Sequence, residues 1–264
     1  MRSERSARIA QLDGVLDELE VGPELAGELF AVVDLVDHQP ALKRALTDPG
    51  SSDDRRRGLV RSVFDGQVSE AAVQVLAEAA ALRWMGGRLL ADAIEREGVR
   101  ALLRSAEAEG RLDDVEDELF RFSRTVAGDP DLRGAISDRS ADLGRRRSLV
   151  AGLLDGRAAP ETSALAQRAV AARERSFAVT LESFVALAAQ IRDRVVATVR
   201  VARPLDAEQT ERLRRALRTQ VGRELALQVV VESELLGGVR VELGDEVIDG
   251  SVAAKLAGAD RLFG

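Results

Sequence analysis

The sequence contains no cysteine and one histidine, His38. Disulfides, thiolate zinc sites and thiol nucleophiles are therefore excluded. A single imidazole rules out multi-histidine metal sites and leaves at most one such group for proton transfer. His38 stands just before Pro40, where a capping or surface role is expected. Aromatics are 3% of the chain, too few for base- or sugar-stacking platforms. Only Lys43 and Lys255 are lysines, which reads as coding bias rather than selection for anion recognition. The longest uncharged run, Ser183 to Ile191, is nine residues, whereas a membrane span needs about 20. Met1-Arg2-Ser3-Glu4-Arg5 leads into no apolar signal region, so no export signal and a cytoplasmic location are expected. Forty-five acids against 38 bases give a net charge of -7, which disfavours general nucleic-acid binding.

Reaction motifs are also missing. Neither lysine follows a glycine, so no P-loop reads, and no G-x-G-x-x-G or G-x-S-x-G is present. The acidic run Asp113–Glu118 is expected in the first turns of a helix, where carboxylates complement exposed amides, rather than as a cation site. The triplets Arg55–Arg57 and Arg145–Arg147 are expected on solvated helix faces, and Trp84 in packing. Neither a catalytic residue, a metal nor a cofactor is expected.

What the chain does have is length, apolar content and repetition. Its 264 residues, 45% apolar and 31% charged, suffice for two or three domains and a substantial core. Residues 40–66 overlay residues 130–156 without a gap, 90 positions apart, with 11 identities in 27 positions. Roughly two would arise by chance. Pro40, Leu42, Ala45, Asp48, the arginine triplet, Leu59-Val60 and Asp65-Gly66 all recur, and Leu29-Phe30 is matched upstream by Leu119-Phe120.

Each copy reads as helical. The first predicts helices over 24–37, after Pro40, over 55–64 and over 70–81. Gly66 is placed for a helix end and Ser69 for a cap. The second predicts 113–127, a short helix after Pro130, then 143–154, 161–172 and 176–194. Between them, 83–109 reads as one long helix shared by both copies, weakened but not broken by Gly98. The period changes to two after Arg194. Strands are expected from Val195 and over 225–231 and 239–243, with a helix from Asp206 to about Gly222 carrying Leu213, Ala216, Leu217 and Val221 inward. Gly244-Asp245 is expected to turn the chain, and Asp249 or Ser251 to cap a final helix containing Val252 and Leu256. The predicted fold is mainly α: two tandem, related helical bundles sharing a long helix, then a small α/β domain. The domains are 1–87, 88–194 and 195–264.

The segment Glu234–Ser251 carries Gly237-Gly238 before an alternating strand, then Gly244-Asp245, then Val247-Ile248-Asp249-Gly250-Ser251. This order resembles the signature of the delta subunit of F-type ATP synthases, the family of the oligomycin-sensitivity-conferring protein. The resemblance covers about residues 88–264, and residues 1–87 look like an additional copy of the family's helical domain. It implies a non-catalytic stator subunit for proton-driven ATP synthesis, peripheral on the cytoplasmic face of the cell membrane, without direct membrane insertion. It implies that the helical domain binds an amphipathic N-terminal helix of the alpha subunit, with the beta subunit as a further head contact. The C-terminal domain would bind b-type peripheral stalk subunits. The expected partner-helix groove lies in the second copy, with Leu102, Leu103 and Ala106 as one wall and Leu165, Ala169 and Val170 as the other. The same apolar residues could instead close the bundle's own core. The first copy is expected to offer an equivalent surface, bracing the stalk or gripping a second alpha N-terminus. The competing readings are a helical adaptor unrelated to ATP synthase and a small-molecule enzyme using carboxylates and arginines.

Overall fold

A computed structural model of the chain describes residues 2–172, 176–192, 195–221, 225–232, 239–243 and 246–249. The chain forms two compact units, Met1–Arg192 and Asp193–Gly264.

The first unit is helical. Its elements are α1 (Arg2–Asp17), α2 (Pro23–His38), α3 (Pro40–Leu46), α4 (Asp53–Phe64), α5 (Glu70–Ala81) and α6 (Gly87–Ala108), followed by α7 (Leu112–Gly128), α8 (Pro130–Ser137), α9 (Leu143–Leu154), α10 (Pro160–Val170) and α11 (Phe177–Arg192). Local chemistry sets their ends. Pro23, Pro40, Pro130 and Pro160 open helices, where the missing amide costs nothing. Ser52, Ser69 and Asp142 cap α4, α5 and α9 by accepting from the amides of Arg55, Ala72 and Arg145. Gly66 and Gly156 follow α4 and α9 at φ +73° and +63°, the left-handed position that glycine adopts without strain.

The 90-residue repeat is three-dimensional. Helices α2–α6 recur in order as α7–α11, and α1 stands to the first copy as α6 stands to the second. The 22 residues of α6 run about 33 Å. That helix packs on α1, α2, α3 and α5 and also on α7, α10 and α11. One apolar core therefore runs through both copies, including Leu12, Leu29, Leu103, Leu119, Leu165 and Leu181. Gly98 is in α6 for a packing reason. A Cβ there would lie 2.5 Å from the ring of Phe30 on α2, so the missing side chain admits the aromatic.

Some polar contacts repeat along with the apolar ones. Glu28 of α2 accepts from the Ser69 amide at 2.9 Å and its hydroxyl at 2.5 Å. Ninety residues on, Glu118 of α7 accepts from the Ala159 amide at 2.9 Å and the Thr162 hydroxyl at 2.5 Å. Each carboxylate satisfies donors at the start of the fifth helix of its copy. The middle arginine of each triplet turns inward, Arg56 buried and Arg146 half-buried, which corrects the expectation of a solvated face. Arg56, 2% exposed, donates to the carbonyls of Ala80 at 2.6 Å, Ala81 at 2.8 Å and Ser51 at 2.5 Å. Arg146 reaches the carbonyls of Ile136 at 3.2 Å and Val170 at 3.4 Å. Arg56 clamps the end of α5 to the loop before α4, and Arg146 clamps the end of α10 to the last turn of α8. Arg56→Ala is expected to destabilise the helical unit by about 3 kcal/mol and Arg146→Ala by about 1 kcal/mol, because the first strands more and shorter buried bonds. Urea unfolding of the full chain, followed by helical circular dichroism, measures both.

Two sequence expectations are corrected here, and one helix had no counterpart among them. The helix α1 was not anticipated. The shared helix begins at Gly87 rather than at residue 83, because Gly86 sits at φ +118° and Trp84 turns inward to donate to the Ala79 carbonyl at 2.7 Å. The helix expected over 161–172 spans Pro160–Val170, since Ala171 and Ala172 bond back three residues in a closing turn.

The second unit contains β1 (Val195–Val201), α12 (Ala207–Val221), β2 (Leu225–Val231), β3 (Val239–Leu243) and β4 (Glu246–Asp249). Sheet order is β2-β1-β3-β4. Strands β1 and β2 are parallel and joined through α12, while β3 runs antiparallel to β1 and β4 to β3. Asp206 and Gln209 form a reciprocal capping box at the start of α12, at 2.7 and 3.0 Å. Val199, Val201, Leu217 and Val241 form the core, with Leu213 and Val229 packed against it. Ala216, expected on the inner stripe, is exposed, because the stripe of α12 is centred on Leu213 and Leu217. Asp249 is the last residue of β4 and pairs with Arg240, while Ile248 pairs with Val241. Asp249, one of the two residues expected to cap the final helix, thus closes the strand ladder. The expected final helix, with Val252 and Leu256, lies outside the described residues.

Candidate partner-binding surfaces

The six residues expected to line a groove are interior. Leu102, Leu103, Ala106, Leu165, Ala169 and Val170 are all buried members of the helical core. The physical reason is that α6 is shared. It is enclosed by helices of both copies, so no side of it is left for an added helix at these positions. Of the signature residues, Ile248 and Asp249 lie in β4. Gly237, Gly238, Gly244, Asp245, Gly250 and Ser251 lie outside the described residues.

Two charged seams flank α6 instead. The first joins it to α1. Arg96 hydrogen-bonds Asp13 and also reaches Glu97 at 2.7 Å. Arg100 meets the Asp13 carbonyl at 3.1 Å and the Asp17 carboxylate at 2.6 Å. Arg104 meets Asp17 at 3.0 Å. Glu97 is 0% exposed and its Oε2 has no hydrogen-bond partner. Burial, reinforced by the neighbouring Asp13 carboxylate, pushes the Glu97 carboxyl up to about 7 against the pull of Arg96 and Arg100.

The second seam joins the copies. Arg168 of α10 pairs with Asp34 of α2 at 2.7 Å and Glu95 of α6 at 2.6 Å. Its guanidinium also stacks 4.9 Å from the Phe30 ring centre. Arg147 adds a second contact to Asp34 at 3.5 Å. Burial raises the Glu95 carboxyl despite Arg168. Neither seam shows in apolar periodicity. The signal that could have found the first is charge on one helix at positions where the repeat mate is neutral: the mates of Glu97 and Arg100 are Leu187 and Gln190.

The other residues singled out in the sequence have structural roles. The Nδ1 of His38 lies 2.6 Å from the Asp34 carbonyl at the end of α2. In the acidic run, Glu116 pairs with Arg192 at 2.9 Å, Asp117 with Arg121, and Glu118 caps α10. A cleft of about 530 Å³ between α6 and α11 is lined by Leu89, Asp92, Val99, Phe184 and Leu187 and reached by Arg5 of α1. Among the described residues, no group of three or more histidine or acidic side chains could hold a metal ion. No described helix is long and apolar enough to cross a membrane.

Fold and surfaces together define a tandem helical-repeat protein with a separate α/β unit. A family model described as "ATP synthase delta (OSCP) subunit" matches residues 94–262. The chain is 45% identical over 235 residues to ATP synthase subunit delta of Kineococcus radiotolerans, covering 89% of this chain and 85% of that one. It is 43% identical over 262 residues to ATP synthase subunit delta of Streptomyces avermitilis, covering 98% and 96%. With the subunit delta of a Parafrankia species it shares 45% over 245 residues, covering 91% and 88%. The chain belongs to the ATP synthase delta (OSCP) subunit family. Membership sets aside an adaptor unrelated to ATP synthase. The family model begins inside α6, while the Streptomyces similarity runs through both helical copies.

Proposed function

We propose that the chain is a non-catalytic tether of a rotary ATP synthase, holding the catalytic head to the peripheral stalk against rotor torque. The helical unit receives the head, through amphipathic N-terminal helices of the alpha subunits, and residues 195–264 receive the b-type stalk. Residues 1–87 form an added bundle fused to the bundle of residues 88–194. The protein acts peripherally, at the cytoplasmic face of the cell membrane.

The observation that carries this reading, beyond family membership, is α6. One continuous helix belongs to the cores of both bundles, so a force applied to either copy reaches the other through packed side chains rather than a linker. Such a tether works by slow dissociation and needs no bond-making groups. Because the six interior residues are committed to the core, the head helix is received on the outer surface of the helical unit.

Depletion of the chain from cells tests the function. Detergent-solubilised membranes are expected to lose alpha and beta subunits while retaining the membrane sector, and proton-driven ATP synthesis is expected to collapse. Retention of the head with full coupling would refute the tether.

A further inference from the structure

We propose that the second copy binds a small inorganic oxyanion of the phosphate class, held by Arg146 and Arg139 in a cavity between α8, the end of α10 and the start of α11. The site stands apart from the tether reading and does not depend on it.

The repeat shows what this place lacks. A guanidinium has five N–H groups, and in the first copy all five of Arg56 are taken. Nε donates to the Ala80 carbonyl at 2.6 Å, and Nη1 to the carbonyls of Asp48 at 3.3 Å and Ser51 at 2.5 Å. Nη2 donates to the Asp53 carboxylate at 2.7 Å and the Ala81 carbonyl at 2.8 Å. Arg146 uses Nη1 alone, toward Ile136 and Val170. Its Nε is buried without a hydrogen-bond partner, and among the described residues Nη2 donates to none. Nε and Nη2 form the edge of a guanidinium that meets a phosphate or carboxylate with two parallel bonds. A buried donor without an acceptor is the defect that a bound ion repairs. The missing acceptor has a sequence cause: Leu143 stands where the first copy has Asp53.

Arg146 lines a cavity of about 210 Å³ together with Ser137, Arg139 and Ser176. Arg139 stands where the first copy has Pro49, so a cation is gained where the paired acid is lost. Ser176 accepts from the Val179 amide at 3.3 Å, which leaves its hydroxyl proton to donate. Two acids precede Arg146 closely in sequence, and both are engaged. Asp138 accepts from the Ser140 amide at 2.9 Å and hydroxyl at 2.6 Å, and Asp142 from the Arg145 amide at 3.0 Å. Among the described residues, neither forms an ion pair with Arg146. The cavity is smaller than the about 300–1,000 Å³ of pockets that enclose drug-sized ligands, so an inorganic ion fits and a nucleotide does not.

Melting of the full chain, followed by helical circular dichroism in sodium phosphate against sodium chloride at equal ionic strength and pH, tests the site. Phosphate is expected to raise Tm by about 3 °C with saturation in the low-millimolar range, and ADP at the same concentration to leave it unchanged. Arg146→Met is expected to abolish the phosphate increment. Leu143→Asp is expected to abolish it as well, by restoring the acid of the first copy, while Leu143→Asn retains it. The Leu143 pair keeps Arg146 and its carbonyl bonds, so it decides the matter even where Arg146→Met lowers stability. An increment that grows linearly without saturating and survives in Leu143→Asp and Arg146→Met is the general stabilisation by excluded salts and would overturn the proposal. No increment in the unaltered chain, or one from ADP equal to that from phosphate, would overturn it too. None of these results bears on the tether.

Discussion

Replacing Arg100 with alanine is expected to destabilise the helical unit by about 3–5 kcal/mol and to release α1. The side chain is 1% exposed and carries the centre of the α1–α6 seam. It holds the Asp17 carboxylate at 2.6 Å, the Asp13 carbonyl at 3.1 Å and, through Nε, the Asp13 carboxylate at 3.5 Å. Removing it leaves the Asp13, Asp17 and Glu97 carboxylates in a poorly solvated seam with two arginines, Arg96 and Arg104. Unpaired buried charge is among the costliest defects a substitution creates, and a domain has about 5–15 kcal/mol in all. Arg100→Met keeps most of the volume, so its loss measures the charge rather than the cavity. Hydrogen exchange should show α1 amides losing protection first, because this seam is the polar attachment of α1 to α6. Arg100→Ala unfolding in urea within about 0.5 kcal/mol of wild type would show that the seam is not holding α1.

The contrast between α1 and the other helices explains what could be read from the sequence. Helices α2 to α5 and α7 to α11 advertise themselves through proline at the first turn, Ser or Asp caps, glycine after the last turn and an apolar stripe. All of these act within a few residues. Helix α1 packs Leu12 and Leu16, with Ile9 and Val15, into the core and adds ion pairs to α6; its apolar stripe is short and set among arginines and aspartates, so periodicity passes over it. The clamp Arg56 and its mate Arg146 were visible as identities but not as clamps, because carbonyl partners 24 residues distant leave no sequence trace. The residues expected to line a groove are interior for a topological reason. Leu102, Leu103 and Ala106 do form an apolar face, but a helix that serves two bundles has a bundle on each side. Strand β4 was missed because its four residues gain meaning only from pairing with β3. The signature around Gly237 to Ser251 pointed to the family through resemblance, while its geometry lies outside the described residues.

Raising the pH from 6 to 8 is expected to weaken the α1–α6 seam through Glu97. Its carboxyl, at about 7 when folded, lies above the ordinary value near 4.5 that the unfolded chain restores. The folded chain therefore holds this proton more tightly. The stability that the proton confers is complete below about pH 4.5 and is lost as pH rises through 7, by on the order of 3 kcal/mol in all at about 1.4 kcal/mol per unit, of which about 1 kcal/mol falls between pH 6 and 8. The cause is visible in the structure. Ionised Glu97 places a charge at a fully buried site, beside the Asp13 carboxylate, with one oxygen lacking a hydrogen-bond partner. Arg96 and Arg100 offset only part of that cost. Glu97→Gln carries no such proton, so the stability difference between wild type and variant should move in favour of the variant across pH 6 to 8. Urea titrations of both full chains at several pH values measure that difference. A difference independent of pH would mean that Glu97 is already ionised at pH 6 and that its arginines outweigh its burial.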